Sequence, residues 1–323
     1  MLQASSNLFF LLGLLGLLAA GVMGFAIQRG ATCTVAAVDE VVQRRSAKRL
    51  VAMLEAALWV SAGLFVAQRL QLLATLPSGY ELTPWTLAGA ALLGLGAYVN
   101  RACVFGAIAR LGSGEWAYAA TPLGYFLGCL SAQWLFDAPP AIGKGSDGFM
   151  LVAASGAIWL LVPLMFLRFY HLFWRTKTSS VRGLNDAVWS PHGATIIIGF
   201  SFLATLLLVG TWAYTDVLAE LARGMSNNLP ARLGLAMALL GGAIWGGYTA
   251  GRLKHTPIRV ANVVRCLGGG VLMAWGSLLI PGGNDGLILI GMPLLWVYAW
   301  AAFMTMCVTV AVAQTVGRKL RWD

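Results

Sequence analysis

The chain has 323 residues, 59% of them hydrophobic and 11% charged, with a formal net charge of +10 and a mean hydropathy of +0.77. Soluble globular domains are about 45–50% apolar and about 25% charged, so the composition excludes a soluble enzyme or binding module and indicates an integral membrane protein. Apolar runs are continuous, as in 151-LVAASGAIWLLVPLMFL-167, which excludes a barrel of alternating strands of about ten residues.

A helix crosses the bilayer with about 20 mostly apolar residues. In chain order, spans are expected at about 8–27, 51–73, 85–100, 117–136, 149–170, 194–214, 231–250, 261–280 and 287–315. The opening MLQASSNLFFLLGLLGLLAAGVMGFAIQRG lacks a positive n-region and a small-residue cleavage site; it reads as a retained first helix. The polar connection at about 171–193 is too short to fold alone. The expected fold class is therefore all-α: a polytopic membrane protein of about nine transmembrane helices.

The basic residues follow topology. With the N-terminus outside, the inner connections hold Arg29, Arg44, Arg45, Lys48 and Arg49, then Arg101 and Arg110, then Arg175, Lys177 and Arg182, then Arg252, Lys254 and Arg259, and the tail adds Arg318, Lys319 and Arg321. The outer connections keep Arg69, Lys144, Arg223 and Arg232 beside acidic residues such as Asp216, Glu220 and Asp285. This is the positive-inside pattern, with the C-terminus cytoplasmic, and no nucleic-acid partner follows from it. The lipid bilayer is the first expected partner. Cys33, Cys103, Cys129, Cys266 and Cys307 form no Cys-x-x-Cys or Cys/His cluster, and His171, His192 and His255 form no pair on one helix face. No metal site and no cofactor is expected. Trp85, Trp174, Trp189, Trp212 and Trp322 fall near span ends and read as interfacial belts.

The stretch 94-GLGAYVNRACVFGAIARLGSGE-115 breaks an apolar region with glycines, polar groups and a cysteine. Shifted by about 180 positions, 89-GAALLGLGAYVNRACVFG-106 overlays 269-GGVLMAWGSLLIPGGNDG-286, with Cys103 over Gly283 and Gly106 over Gly286. A weaker overlay sets 13-GLLGLLAAGVMG-24 on 199-GFSFLATLLLVG-210. The charge pattern turns one copy over relative to the other. The expected organisation is one transporter domain over 1–323: repeat one at about 8–136, a connecting segment at about 137–192, and an inverted repeat two at about 193–316. Broken or re-entrant helices within it would offer free N–H groups to an anion. Tight helix packing through small residues explains glycines as well.

Three pieces carry a resemblance: 24-GFAIQRGATCTVAAVDE-40, 101-RACVFGAIARLGSGEWAY-118 and 268-GGGVLMAWGSLLIPGGNDG-286. Together they resemble the YeeE/YedE family of bacterial inner-membrane sulfur-compound transporters. The most specific match is Cys103, Gly106 and the turn 111-LGSGE-115; Gly24, Arg29 and Cys33 support it. The resemblance implies inverted halves, import of thiosulfate or a related small sulfur-containing anion, and pathway cysteines at Cys33 and Cys103. It also implies a cytoplasmic sulfur-carrier protein as an acceptor in some relatives. The second half departs from the pattern: members often read Gly-Gly-Cys-x-x-Gly, and this chain has Gly283 at the cysteine position and no cysteine in 212-WAYTDVLAELARG-224.

The candidate substrate-binding residues are thus Cys103, Cys33, Asn284, Gly106, Gly283, Gly286, Arg29 and Arg101. Each has a plainer reading. A free cysteine packs as a small hydrophobe, and Arg29 and Arg101 anchor an inner surface. Cys129, Cys266 and Cys307 read as core. Glu55, an ionisable group inside a span, is a candidate for proton coupling, whereas Glu115 reads as a complement to a helix start. No catalytic residue is assigned. The alternatives are a permease for another small anion, a membrane-bound sulfur-handling enzyme or redox subunit using Cys103 as sulfur acceptor, and a non-transporting assembly subunit.

Overall fold

The structure is a computed structural model, and it describes residues 2–73, 77–135, 142–144, 156, 163–168, 170, 188–224 and 229–320. Helices dominate. The first series is α1 (Leu2–Gly30), α2 (Thr34–Arg44), α3 (Lys48–Arg69), α4 (Pro84–Asn100), α5 (Val104–Gly112) and, after a 3-10 turn (Trp116–Ala119), α6 (Ala120–Leu135). The second series is α7 (Pro191–Val209), α8 (Tyr214–Ala222), α9 (Leu229–Thr249), α10 (Val260–Leu279), α11 (Asn284–Gly286) running into a π turn (Leu287–Gly291), and α12 (Val297–Lys319). A two-residue antiparallel pairing of β1 (Gly79–Tyr80) with β2 (Gly143–Lys144) completes it.

Among the described residues, seven helices are long and apolar enough to cross a membrane. The expected span at 149–170 lies largely outside the described residues. The one expected at 117–136 becomes a helix of 16 residues. The expected 287–315 span is divided: the chain turns at Leu295 (φ 58) before α12 starts. The helix starts follow sequence rules. Thr83 accepts from Thr86 N–H ahead of Pro84, and Ser190 accepts from Gly193 N–H ahead of Pro191; each pairs a capping oxygen with a proline in the first turn.

Both series read long, short, long, long, short, long. The packing follows the same scheme: α1 lies on α7 and α9, while α7 lies on α1 and α3; α4 lies on α10 and α12, while α10 lies on α4 and α6. Glycine permits the closest approaches. A Cβ at Gly24 would stand 1.8 Å from the Leu239 carbonyl oxygen, and one at Gly242 1.9 Å from that of Gly21. Between α4 and α10, Gly89 and Gly276 meet each other's backbone in the same way. The repeated glycines of the 89–106 and 269–286 stretches therefore divide: Gly89, Gly96, Gly269 and Gly276 serve helix packing, whereas Gly106 within α5 and Gly283 at a break face Cys33 and Thr215.

Candidate functional site

Four helix breaks converge on buried space. Each carries a residue in the left-handed region: Ala31 (φ 46), Arg101 (φ 59), Gly210 (φ 104) and Gly282 (φ 155). Each is followed by an N-cap in extended conformation: Cys33 for α2, Cys103 for α5, Ala213 for α8 and Gly283 for α11. None of these four side chains caps its own helix, so the first N–H groups look elsewhere for acceptors. Cys33 and Ala213 stand as far apart in sequence as Cys103 and Gly283. The helix breaks therefore obey one shift of 180 throughout, and the 13–24 overlay on 199–210 is six positions out of step.

Cys33 and Cys103 are both buried, with their sulfurs 3.9 Å apart. The Thr34 N–H, first in α2, donates to Cys103 Sγ at 3.1 Å. Gly106 makes the pair possible: a Cβ there would sit 2.4 Å from Cys33 Sγ. The two series touch here, since the Thr34 hydroxyl donates to Asn284 Oδ1 at 3.3 Å. Asn284 is fully buried, and among the described residues its Nδ2 has no hydrogen-bond partner. A buried donor left open costs about 1–3 kcal/mol. A cleft beside Cys33 is lined by Thr32, Arg49, Met53 and Thr195. Asn100 holds the second break, between α4 and α5: its Nδ2 donates to the Ala102 carbonyl at 2.8 Å, and its Oδ1 accepts from the Thr121 hydroxyl at 3.0 Å.

The second series has a different closure at the matching place. Asp285, 3% exposed, accepts from the Thr215 N–H (3.1 Å) and the Thr215 hydroxyl (2.5 Å). A Cβ on Gly283 would stand 2.1 Å from Thr215 Oγ1 and 2.8 Å from Asp285 Oδ1. Where the first series places a thiol against the α2 N-terminus, the second places a carboxyl group against the start of α8. The expectation of Asp285 as an outer-loop residue is thereby corrected: Thr215, 70 positions away, draws it inside.

The remaining candidates are placed apart. Arg101 lines a cavity of about 330 Å³ with Tyr98, Arg265, Gln314 and Arg318. Arg29 is buried against α9, donating to the Thr249 hydroxyl at 2.8 Å and lying over the Phe25 ring. Gly286 has ordinary clearance, its nearest neighbour being Ala213. Arg110, not singled out from the sequence as a site residue, is a cation close enough to act on Cys33; it pairs with Glu115 at 3.1 Å. Cys129, Cys266 and Cys307 are buried in the core. Trp212 departs from the interfacial reading, being 2% exposed at the break before α8, whereas Trp85 is exposed; Trp174 and Trp322 lie outside the described residues. Glu55 is held by Arg168 (2.6 Å) and His192 (2.5 Å), and this clamp gives the carboxylate a structural role. No group of His, Cys, Asp or Glu suited to a metal occurs among the described residues.

Seven helices long and apolar enough to cross a membrane, among the described residues, define a class: a polytopic membrane protein. The chain belongs to the sulphur transport family, the YeeE/YedE family, whose model matches residues 29–312. It is thus a sulfur-compound transporter of a multi-pass type. No curated protein matches the chain closely enough to narrow this further.

Proposed function

We propose that the protein imports thiosulfate, or a closely related small sulfur-containing anion, into the bacterial cytoplasm. The observation that carries the reading is the buried meeting of Cys33, Cys103 and the unpartnered Asn284 amide, where the two series touch. The anion passes Cys103 and Cys33, whose thiols donate to it. Asn284 Nδ2 donates from the second half, with backbone N–H groups beside Gly283 and Gly286. Gly106 keeps the space that Cys33 needs. Arg101 and the arginines of its cavity receive the anion at the inner mouth; Arg29 contributes positive charge to the same end of the bundle.

The two halves are inverted repeats. The matching element order, the exchanged packing partners and the common spacing of the four N-caps support this. Gathering of Arg101, Arg265 and Arg318 around one cavity supports an N-outside, C-inside orientation in the inner membrane. The same basic surface suits an acidic cytoplasmic sulfur-carrier protein as acceptor.

The test is uptake of labelled thiosulfate by bacterial cells lacking their own importers, for this chain and its Cys103→Ala form. A hydrogen bond to a charged group contributes about 1.5–3 kcal/mol, so uptake should fall about 10- to 150-fold at equal membrane abundance. Unchanged uptake in the variant would remove Cys103 from the path. No uptake by the unmodified chain would reject thiosulfate as cargo.

A further inference from the structure

Asp285 has no part in the anion path as drawn above, yet it is the least expected group in the molecule. It is 3% exposed, and among the described residues no Lys, Arg or His nitrogen lies within 4 Å of its oxygens. Its oxygens accept from the two Thr215 donors and from the backbone N–H groups of Asp285 and Gly286. A buried carboxylate without a counter-ion is costly, and it is relieved most simply by taking a proton. It also adjoins Asn284, whose Oδ1 accepts from the Thr34 hydroxyl and whose Nδ2 is left open among the described residues. An ionised Asp285 would repel an anion at that amide, whereas a neutral one would not.

We propose that Asp285 is a proton site that couples anion passage to proton movement, so that the protein is an anion–proton symporter. This rests on the anion-import reading. The carboxylate takes one proton from the side where the anion enters, stays neutral while the anion passes Asn284, and gives the proton up on the other side. No other reactant is needed. Coupling is reciprocal by linkage: the proton favours the anion as much as the anion favours the proton. For a dianion moving toward a negative interior, each co-carried proton also cancels one charge of the electrical penalty.

The surroundings supply a route. On α8, Asp216 and Glu220 are four residues apart, on one face, and both are partly exposed. Asp216 interacts electrostatically with Asp285, Glu220, Arg223 and Arg232, and Arg232 also pairs with Glu220. This acidic ladder leads from Asp285 to the far end of α8. The other ionisable groups facing Asp285 are Tyr214 of α8 and Tyr125 of α6. Cys103 heads α5, and Arg110 lies near that helix's other end. Gly283 fits the same account: a side chain there would fill the space that the Asp285–Thr215 clasp occupies.

The experiment uses the full chain in proteoliposomes with the potential clamped by valinomycin, an interior pH dye and labelled thiosulfate. Thiosulfate addition should acidify the interior. For one proton per anion, each unit of imposed pH difference should raise accumulation about tenfold. Asp285→Asn keeps the size and can still accept from Thr215; it should abolish the thiosulfate-driven acidification and the response to the pH gradient. Thr215→Val, which removes one donor to the carboxyl, should displace the pH profile of uptake to higher pH. Thiosulfate movement without proton movement in the unmodified protein, or driven by sodium instead, overturns the coupling and leaves the import reading intact. Full coupling in Asp285→Asn assigns the proton elsewhere and overturns the role of Asp285. No thiosulfate movement by the unmodified protein overturns the import reading, and the coupling with it.

Discussion

A single hydrogen atom at position 106 decides whether Cys33 can approach Cys103. Gly106→Ala would bring a methyl group to 2.4 Å from Cys33 Sγ. Overpacking of this kind costs about 1–3 kcal/mol, and the thiol must turn away. Uptake should be lost while the protein still reaches the membrane, as measured by transport beside quantitative blotting. The mirror position predicts the opposite of intuition. Gly283→Cys restores the residue that the family resemblance leads one to expect, but its Cβ would collide with Thr215 Oγ1. Its melting temperature in detergent should fall, and adding Thr215→Ala should recover part of the loss, a non-additivity that marks direct contact. An unchanged melting temperature in the single variant would contradict the clasp. Cys33, Cys103 and Gly106 were singled out through the motifs that carry the family resemblance, and the structure brings the three together. Thr34, Thr215 and the inward turn of Asp285 were not legible: their partners lie 69, 70 or 250 positions away, and a Gly-Gly-Asn-Asp-Gly run reads as a surface turn when considered alone.

At the level of helices, the long spans were readable because hydrocarbon demands about 20 apolar residues whatever the neighbours. Their ends were readable through Thr83-Pro84 and Ser190-Pro191. The divisions at 31–33, 101–103, 210–213 and 280–283 were harder. Glycine marks a break and a close helix contact alike, and only packing separates the two. Gly24 and Gly242 belong to the contact between α1 and α9, where backbones touch. Gly24→Val should therefore lower thermal stability by more than the about 1–3 kcal/mol of ordinary overpacking, since the obstacle is a carbonyl that cannot rotate aside. Thermal melting of the detergent-solubilised variant checks this; a valine tolerated without loss would mean the two helices are not seated as described. The Glu55 clamp makes a comparable prediction. Glu55→Gln removes the charge partner of Arg168, whose side chain is 42% exposed, so it should reduce stability by about 1 kcal/mol.

Over the whole molecule, the proposed orientation, argued from charge alone, makes a direct prediction. Single cysteines placed at 46 and 253, in a background lacking the native five, should react with an impermeant maleimide only after the cytoplasmic face is opened; one at 78 should react in intact cells. The reverse pattern would turn the proposed import path around. The halves share a plan but differ in substance. One presents two sulfurs, and the other an amide and a carboxyl group. A symmetric relay would read a passing ion the same way at both ends. On the proposed path the ends of the ion would be told apart: a polarisable terminal sulfur suits the thiols, while hard oxygens suit the Asn284 amide. Thiosulfate has one of each, and sulfate only the second. Selection between them then comes from orientation more than size, a difference of affinities built on mismatch, and excess sulfate should compete poorly with thiosulfate for uptake.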